Sequence, residues 1–179
     1  MNPTKILNEE HNNILAAIDL LSQECDAMES GTELNKEFIK NAIFFIRNYA
    51  DKFHHTKEED ILFKILETDE IQEKMPCNPM RQMLHEHDMG RELVKAMEEG
   101  IESSDKKKVI ENARSYCYLL KDHIHKEDDI LYPMADDALS LENKESMAKE
   151  FARVEEEMKE VKDKCLSFLG EEEWILTNL

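Results

Sequence analysis

The sequence predicts an all-α protein, an antiparallel up-down four-helix bundle with a fifth, amphipathic helix after it. The 179 residues include only four glycines and four prolines. That supply is too small for an all-β sandwich or barrel, which has a turn about every ten residues. Apolar residues recur at steps of three, four and seven through long segments, as in amphipathic helices. The length suits one domain that buries about 70% of its unfolded surface.

Five helical segments follow one another, and particular residues set their limits. Asn2 and Pro3 place a capping residue and a proline at the start of the first segment, and Gly31 marks its end. Pro76 and Pro79 bracket the connection between the second and third segments. The predicted segments are residues 2–31, 33–68, 80–101, 105–139 and 141–169.

The last two segments complete the predicted architecture. In the fourth, Ile130 continues the inward apolar face, and Pro133 should kink the helix or end it early. In the fifth, apolar residues alternate at steps of four and three, which fits docking on a bundle or pairing with another chain. We expect a bundle over residues 1–140, and a helix and tail over 141–179 that pack on the bundle or at a dimer interface. The protein would be a monomer or a homodimer.

Composition disfavours several classes of partner. The 41 acidic and 23 basic residues give a net charge of -18, so binding to nucleic acid or an anionic membrane surface is not expected. No 18-residue apolar run is present, and the first residues lack the apolar stretch of a signal peptide. The four cysteines are widely spaced without a CxxC motif, which is typical of reduced thiols in a cytoplasmic protein.

Polar residues interrupt the apolar faces of the first four segments at positions that point to the core. Each segment places a histidine there, and the second and fourth add a glutamate four residues later, one helical turn away. An arginine follows the histidine of the third segment at the same spacing. The inward polar residues are His11, His54, Glu58, His87, Arg91, His123 and Glu127.

An internal repeat relates these positions. Residues 54–63, HHTKEEDILF, align with residues 123–132, HIHKEDDILY, and six of ten positions are identical. The helix before each copy carries a Glu-His step, Glu10-His11 and Glu86-His87. The chain is therefore predicted to contain two helical hairpins of one design, each supplying one histidine and one His-x-x-x-Glu pair.

A metal centre explains this constellation better than a set of hydrogen-bonded core residues does. One His-x-x-x-Glu pair is weak evidence, because a core histidine often bonds to a glutamate one turn away. Four histidines and two glutamates buried together without cations would be very costly. Imidazole with carboxylate suits iron, manganese or zinc. Two metals, each with two histidines and sharing both glutamates, would retain positions for an oxo or hydroxo bridge, water or a small ligand.

The helical period assigns the remaining histidines to other roles. His85 and His125 lie about 200° from an inward histidine and should face outward, whereas His55 lies about 100° from the His54 line. All three are interpreted as surface residues or as residues that contact the ligands, and none is expected to bind metal. Tyr116, two turns before His123, fits a core residue better than a redox partner.

The four motifs resemble those of the hemerythrin-like (HHE cation-binding) family. They are His11 after two glutamates, FHHTKEEDILF at 53–63, LHEHDMGR at 84–91, and HIHKEDDILYPMAD at 123–136. The resemblance covers about residues 1–140 and implies an antiparallel four-helix bundle with two non-haem Fe ions, joined by an oxo or hydroxo bridge. It implies terminal histidine ligands and bridging glutamates at His11, His54, His87, His123, Glu58 and Glu127.

The sequence departs from the oxygen-carrying members of that family at two positions. Those proteins have a fifth histidine four residues after the one in the third helix, and a bridging aspartate in the fourth; here these positions are Arg91 and Glu127. The missing histidine leaves one iron more open, which favours reaction or sensing over reversible oxygen carriage. Arg91 could form a salt bridge with a glutamate, or hold an anion or a peroxide beside the open iron.

The resemblance implies a di-iron protein that binds, senses or reacts with O2, NO or H2O2. One alternative is an enzyme for peroxide decomposition or for nitric-oxide and iron–sulfur repair, although relatives with the repair role tend to carry a cysteine-containing segment ahead of the first ligand. Another is an iron sensor whose output is the fifth helix and the tail with Trp174. A metal-free scaffold with hydrogen-bonded core histidines is the third.

Overall fold

Two helical hairpins form the bundle in the computed structural model, which describes residues 2–177, with side chains described for residues 2–170. Every regular element in this part of the chain is helical, so the predicted fold class is confirmed. The predicted output role of Trp174 concerns a side chain outside the described residues. No helix in the described range is long and apolar enough to cross a membrane.

The four bundle helices alternate in direction along the chain. The first is Pro3–Glu29 and the third is Met80–Glu102. The second is a continuous run of four pieces, Lys36–Phe45, Ile46–His55, Glu58–Leu62 and Phe63–Leu66. The fourth consists of Lys106–Lys126, Glu127–Leu131 and Tyr132–Ala138. A single turn, Asp69–Gln72, lies in the connection between the hairpins.

The helix ends are fixed by the residues that the sequence offers for capping. Gly31 has a φ of 114°, and the amides of Gly31 and Thr32 donate to the carbonyls of Met28 and Ala27 in a Schellman motif. The side chains of Asn35 and Asp105 accept hydrogen bonds from backbone amides at the starts of the second and fourth helices.

Gly100 has a packing role rather than a capping one. The third helix runs two residues beyond it, and Ser104, with a φ of 56°, takes the left-handed position at the helix end. A Cβ on Gly100 would lie 2.8 Å from Val109 Cγ2 and 3.2 Å from the Val109 amide nitrogen. The glycine therefore allows the third and fourth helices to approach closely where their connection turns.

Three segments of the second and fourth helices are π-helical: Ile46–His55, Glu58–Leu62 and Glu127–Leu131. Hydrogen bonds from i to i+5 widen each turn, so the inward face shifts relative to a regular α-helix. The inward assignment of Ile130 is wrong for this reason: it is 50% exposed, and Leu131 and Tyr132 are buried instead. Pro133 does not end the helix, because the preceding π segment places it in the first turn of a new α-helical piece.

Two further helices, Leu141–Glu157 and Lys159–Thr177, follow the bundle in place of one continuous helix. They are separated by Met158, and a capping box of Ser140 with Asn143 begins the first of them. The predicted stripe faces the bundle through its buried members, Met147, Phe151, Val154 and Cys165. Phe168 packs its ring 5.8 Å from that of Phe38 in the second bundle helix.

Candidate metal centre

Six buried side chains meet in the middle of the bundle. The four histidines and two glutamates that the sequence places inward are each 2% exposed or less: His11, His54, Glu58, His87, His123 and Glu127. Their donor atoms form two clusters, in each of which the atoms lie within 4.8 Å of one another. One cluster joins His11 and His54 to both glutamates; the other joins His87, His123 and Glu58 to a further histidine, His55.

The histidines are paired within each hairpin in a geometry that suits metal ligation. His11 Nε2 lies 2.9 Å from His54 Nε2, and His87 Nε2 lies 2.9 Å from His123 Nε2. Two nitrogens at right angles on one ion, each bonded at about 2.1 Å, are about 3 Å apart. The ring centroids are 4.6 Å apart within the His11–His54 pair and 4.7 Å apart within the His87–His123 pair, so the two halves of the centre have nearly the same spacing.

Each histidine is oriented by a carboxylate at its other nitrogen. His11 Nδ1 donates to Asp128 at 2.7 Å, and His87 Nδ1 donates to Glu59 at 2.7 Å. In the same way, His54 donates to Glu10 at 2.9 Å and His123 donates to Glu86 at 2.8 Å. Because a carboxylate only accepts, these bonds assign the proton to Nδ1 and turn the Nε2 lone pairs inward, the tautomer that binds metal.

The two glutamates span both halves. Glu58 Oε2 is 3.6 Å from both His54 Nε2 and His87 Nε2. Glu127 approaches His11 Nε2 at 3.4 Å and His123 Nε2 at 3.3 Å. Glu58 Oε2 and both carboxylate oxygens of Glu127 are buried without a hydrogen-bond partner. Unpartnered carboxylate oxygens between two histidine pairs are the donor set that a bridged pair of cations requires.

The electrostatics of the cluster favour added positive charge. Burial and the neighbouring Glu127 raise the pKa of Glu58 well above its usual value. Burial would also raise the pKa of Glu127, but His123 and His11 lower it well below the usual value. Burial opposes a charge on His123, yet Glu127 and Glu86 raise its pKa to about 9. Cations placed between these groups would remove the repulsion between the carboxylates. The residues present therefore fit the metal pair implied by the sequence.

In each half of the centre, a lysine contacts one of the carboxylates that orient the histidines. Lys57 donates to Glu10, and Lys126 donates to Glu86. These lysines occupy equivalent positions in the repeat, but their surroundings differ. The Lys126 side chain is 21% exposed, whereas Lys57 is completely buried and donates a second bond, of 3.0 Å, to Glu155 of the C-terminal helices.

Tyr132 is a residue of the centre that the sequence reasoning missed. Its hydroxyl donates to Glu58 Oε1 at 2.6 Å, and its ring stacks on His11 with centroids 5.6 Å apart. The aligned residue in the other hairpin is Phe63, so only one half of the centre has this hydroxyl. The sequence signal that could have identified Tyr132 was this difference between tyrosine and phenylalanine within a closely matching repeat.

Of the two positions predicted for His55, at the surface or beside the ligands, the structure shows the second. It is 7% exposed, and its ring stacks on that of His87 with centroids 3.6 Å apart and planes 9° apart. The π-helical geometry of residues 46–55 turns it inward beside His54. His85 and His125 are exposed, as predicted. Tyr116 is buried, and its ring edge lies 3.5 Å from where a Cβ on Gly90 would be.

Arg91 forms salt bridges at the edge of the centre. Its guanidinium donates to Asp51 at 2.7 and 2.9 Å and to Glu59 at 2.7 Å. It also donates to Asp88 at 2.9 Å. Glu59 also accepts the hydrogen bond from His87, so Arg91 is linked to His87 indirectly, through the Glu59 carboxylate. The salt-bridge alternative therefore describes its contacts in this structure.

A cavity of about 360 Å³ adjoins the centre between the second, third and fourth bundle helices. His55, His87 and His123 form its inner wall. Apolar side chains and Tyr116 line its sides. The charged lining residues are of both signs: Arg47, Lys52, Arg91, Asp51 and Glu86.

Comparison with known proteins identifies a family. The family model described as the hemerythrin HHE cation-binding domain matches residues 2–135. No curated protein and no solved structure gives a significant match.

Proposed function

Because the chain belongs to the hemerythrin HHE cation-binding family, as its motifs predict, we propose that it is a non-haem di-iron protein that binds and reacts with a small ligand, O2, NO or H2O2. The observation that carries the proposal is the convergence of four carboxylate-anchored histidines on two buried glutamates. One iron would be held by His11 and His54 and the other by His87 and His123. Glu58 and Glu127 would bridge them.

The protein's own groups would perform three tasks. The Nδ1 bonds hold the four imidazoles in one tautomer and one orientation, so little reorganisation accompanies metal binding. Burial excludes bulk water from the ligands. The Tyr132 hydroxyl holds Glu58 in place and biases it toward its charged form. When bound, iron would supply one-electron redox chemistry and open coordination positions.

The test is metal analysis of protein purified without chelator, combined with absorption spectra. We expect about two irons per chain, as in a two-metal site, and near-ultraviolet ferric bands that bleach with dithionite. Return of the bands with oxygen or with peroxide would identify the ligand, and the kinetics would separate carriage from turnover. A single zinc, or no metal in protein purified from iron-supplied cells, would refute the proposal.

An iron-dependent sensor is a second candidate, supported by one contact. Lys57 joins Glu10, which orients His54, to Glu155 of the C-terminal helices. Loss of metal would change the positions of His54 and Glu10 at one end of this chain of contacts. A partner could bind to the C-terminal helices in one of the two states only. Metal-dependent binding of a partner, without turnover of oxygen or peroxide, would favour this function over the first.

A further inference from the structure

The C-terminal helices pack on the outer face of the first hairpin, which consists of the first and second bundle helices. The last helix contacts the first bundle helix and residues 46–55 of the second. Its Phe168 ring lies 6.4 Å from the Phe45 ring, and the Lys162 ammonium lies 5.7 Å from the centroid of the Phe53 ring. An amphipathic segment of the chain therefore covers this face.

The repeat identifies the equivalent face of the second hairpin. Counted from the inward histidines, Tyr118 has the position of Tyr49. In the same way, Met89 has the position of Asn13. Asn13 donates a hydrogen bond of 2.8 Å to the Tyr49 hydroxyl, and Tyr49 is only 2% exposed. Tyr118 and Met89 are 79% and 43% exposed, so the face that is covered in the first hairpin is open in the second.

A groove lies between the third and fourth bundle helices at this open face. Met89 and Leu93 line it from the third helix, and Tyr118 and Leu119 line it from the fourth. Met89 and Tyr118 are two of the four large apolar side chains that are exposed in the described part of the chain. Apolar side chains gathered on a surface mark interaction sites, whereas single ones are ordinary. A groove between two helices suits the apolar face of a third helix.

The charged residues of the groove are mainly acidic. They are Asp88, Glu92 and Asp122, together with Arg114. Arg114 donates to two carboxylates of the first helix, which compensate its charge. Asp88 and Asp122 pair with cations of their own helices, but such exposed pairs are weak, and Glu92 forms no ion pair with a described side chain. A basic helix is therefore favoured, whereas a second copy bound through the same groove would bring like charges together.

The C-terminal segment of a second copy does not match this groove either. In the first hairpin that segment packs on phenylalanines, Phe45 and Phe53. The equivalent positions of the second hairpin, counted from the inward histidines, are Arg114 and Asp122. Burying these charged groups under an apolar stripe would leave them without water or new partners. The occupant must therefore supply polar groups beside its apolar residues.

We propose that this groove binds an amphipathic helix of another protein. Its apolar residues would contact Met89, Leu93 and Tyr118, and its lysine or arginine residues would lie opposite Asp88 and Glu92. The bound helix would cover the second hairpin as the C-terminal helices cover the first. The proposal does not depend on the metal, because none of the groove residues is a proposed ligand.

The test uses two synthetic helical peptides and the full-length protein as purified. Both peptides have leucines at the same i, i+3, i+4 and i+7 positions, and the other positions are lysine in one peptide and glutamate in the other. Fluorescence anisotropy of the labelled peptides measures binding at about physiological salt. Tyr118→Ala is compared with Ile130→Ala, an exposed apolar residue outside the groove. Glu92→Lys is compared with Glu73→Lys, which is exposed between the hairpins and changes the net charge equally.

The lysine peptide should saturate at one site per chain and bind at least about tenfold more tightly than the glutamate peptide. Tyr118→Ala should weaken its binding by about tenfold and Glu92→Lys by about fivefold, and the two controls should stay within about twofold. No saturable binding, equal binding of the two peptides, or equal affinities of test and control variants would overturn the proposal. Sedimentation of the protein alone is the second measurement. A dimer that Tyr118→Ala dissociates would assign the groove to a second copy and would also overturn the proposal.

Discussion

Each of the four inward histidines is oriented by a carboxylate that is not itself a proposed metal ligand. Asp128, Glu10, Glu59 and Glu86 accept the Nδ1 protons from the opposite element of a hairpin or from the neighbouring hairpin. These bonds determine which ring nitrogen faces the centre. Such outer contacts commonly contribute ten- to hundredfold to metal affinity.

Removing one of these acceptors should weaken metal binding without removing a ligand. We expect Glu86→Ala to lower iron affinity by about ten- to hundredfold, because His123 loses the bond that orients it. Competition with a chelator of known affinity measures the change. Glu99→Ala is the control, since Glu99 is an exposed residue of the same helix that pairs with Lys108. Equal iron affinity in both variants would contradict the orienting role of Glu86.

Removing a proposed ligand should have a larger effect. His123→Ala or Glu127→Ala is expected to reduce iron from about two ions per chain to one or none, and to destabilise the bundle, because buried partners lose their compensating charge. His85→Ala and His125→Ala should retain the full iron content, as both residues are exposed. Metal analysis and thermal unfolding of the four variants test this. Loss of iron in His125→Ala equal to that in His123→Ala would refute the ligand assignment.

Two of the three π-helical segments begin at the glutamates of the centre. Glu58 starts one segment and Glu127 starts another, at equivalent positions of the repeat. The wider turns let consecutive residues such as His54 and His55 both reach the interior. π-helical turns occur often at functional sites, where they redirect side chains that an α-helix would place outward.

The same segments define what the sequence could and could not predict. Helix order, the ends at Pro3 and near Gly31, and the convergence of the inward histidines were predictable, because periodicity and capping are local properties. The choice between a surface and an interior position for His55, and the exposure of Ile130, were not predictable, since both depend on i to i+5 hydrogen bonds that leave no sequence signal. Tyr132 at Glu58 was missed because it required knowledge of contacts between hairpins.

The close approach of the third and fourth helices gives a prediction about stability. Gly100→Ala should lower the free energy of unfolding by about 1–3 kcal/mol, because the added Cβ would lie 2.8 Å from Val109 Cγ2 and near its backbone nitrogen. Urea denaturation provides the measurement. Gly170→Ala is the matched control, as nothing lies within 4 Å of its Cβ position, and it should gain up to about 1 kcal/mol from helix propensity. Equal stability of both variants would show that Val109 moves aside freely.

The whole molecule combines a net charge of -18 with a cluster of buried acidic groups at its centre. Bound cations would offset that charge where water cannot reach. Stability should therefore depend strongly on metal.

Removal of metal should lower the melting temperature by about 10 °C. A ligand present at a thousand times its dissociation constant contributes about 4 kcal/mol, and each kcal/mol is worth about 2–4 °C for a chain of this size. Calorimetry with and without chelator measures the shift. The Glu127→Ala variant, which should hold little metal, provides the control and should show a smaller chelator effect. A melting temperature that is independent of chelator would contradict metal-linked stability.

The C-terminal helices should contribute to the stability of the centre through Lys57. Glu155→Gln is expected to lower the free energy of unfolding by about 1–3 kcal/mol, because it removes a charged acceptor from a completely buried ammonium group. Glu156→Gln, one residue further and exposed, is the control and should be nearly neutral. Chemical denaturation of the two metal-loaded variants distinguishes them. A neutral Glu155→Gln would mean that Glu10 alone satisfies Lys57.

The late position of Glu155 in the chain has a consequence for assembly during synthesis. All six proposed ligands, from His11 to Glu127, leave the ribosome before Glu155 does, and domains begin to fold from their N-terminal part as they emerge. Lys57 therefore meets Glu10 before its second acceptor exists, so this wall of the centre is completed last. We expect a nascent chain arrested when residue 140 has just emerged from the ribosome, with Glu155 still inside the exit tunnel, to exchange iron faster than the released protein. Equal exchange rates would show that the final helices do not close the site.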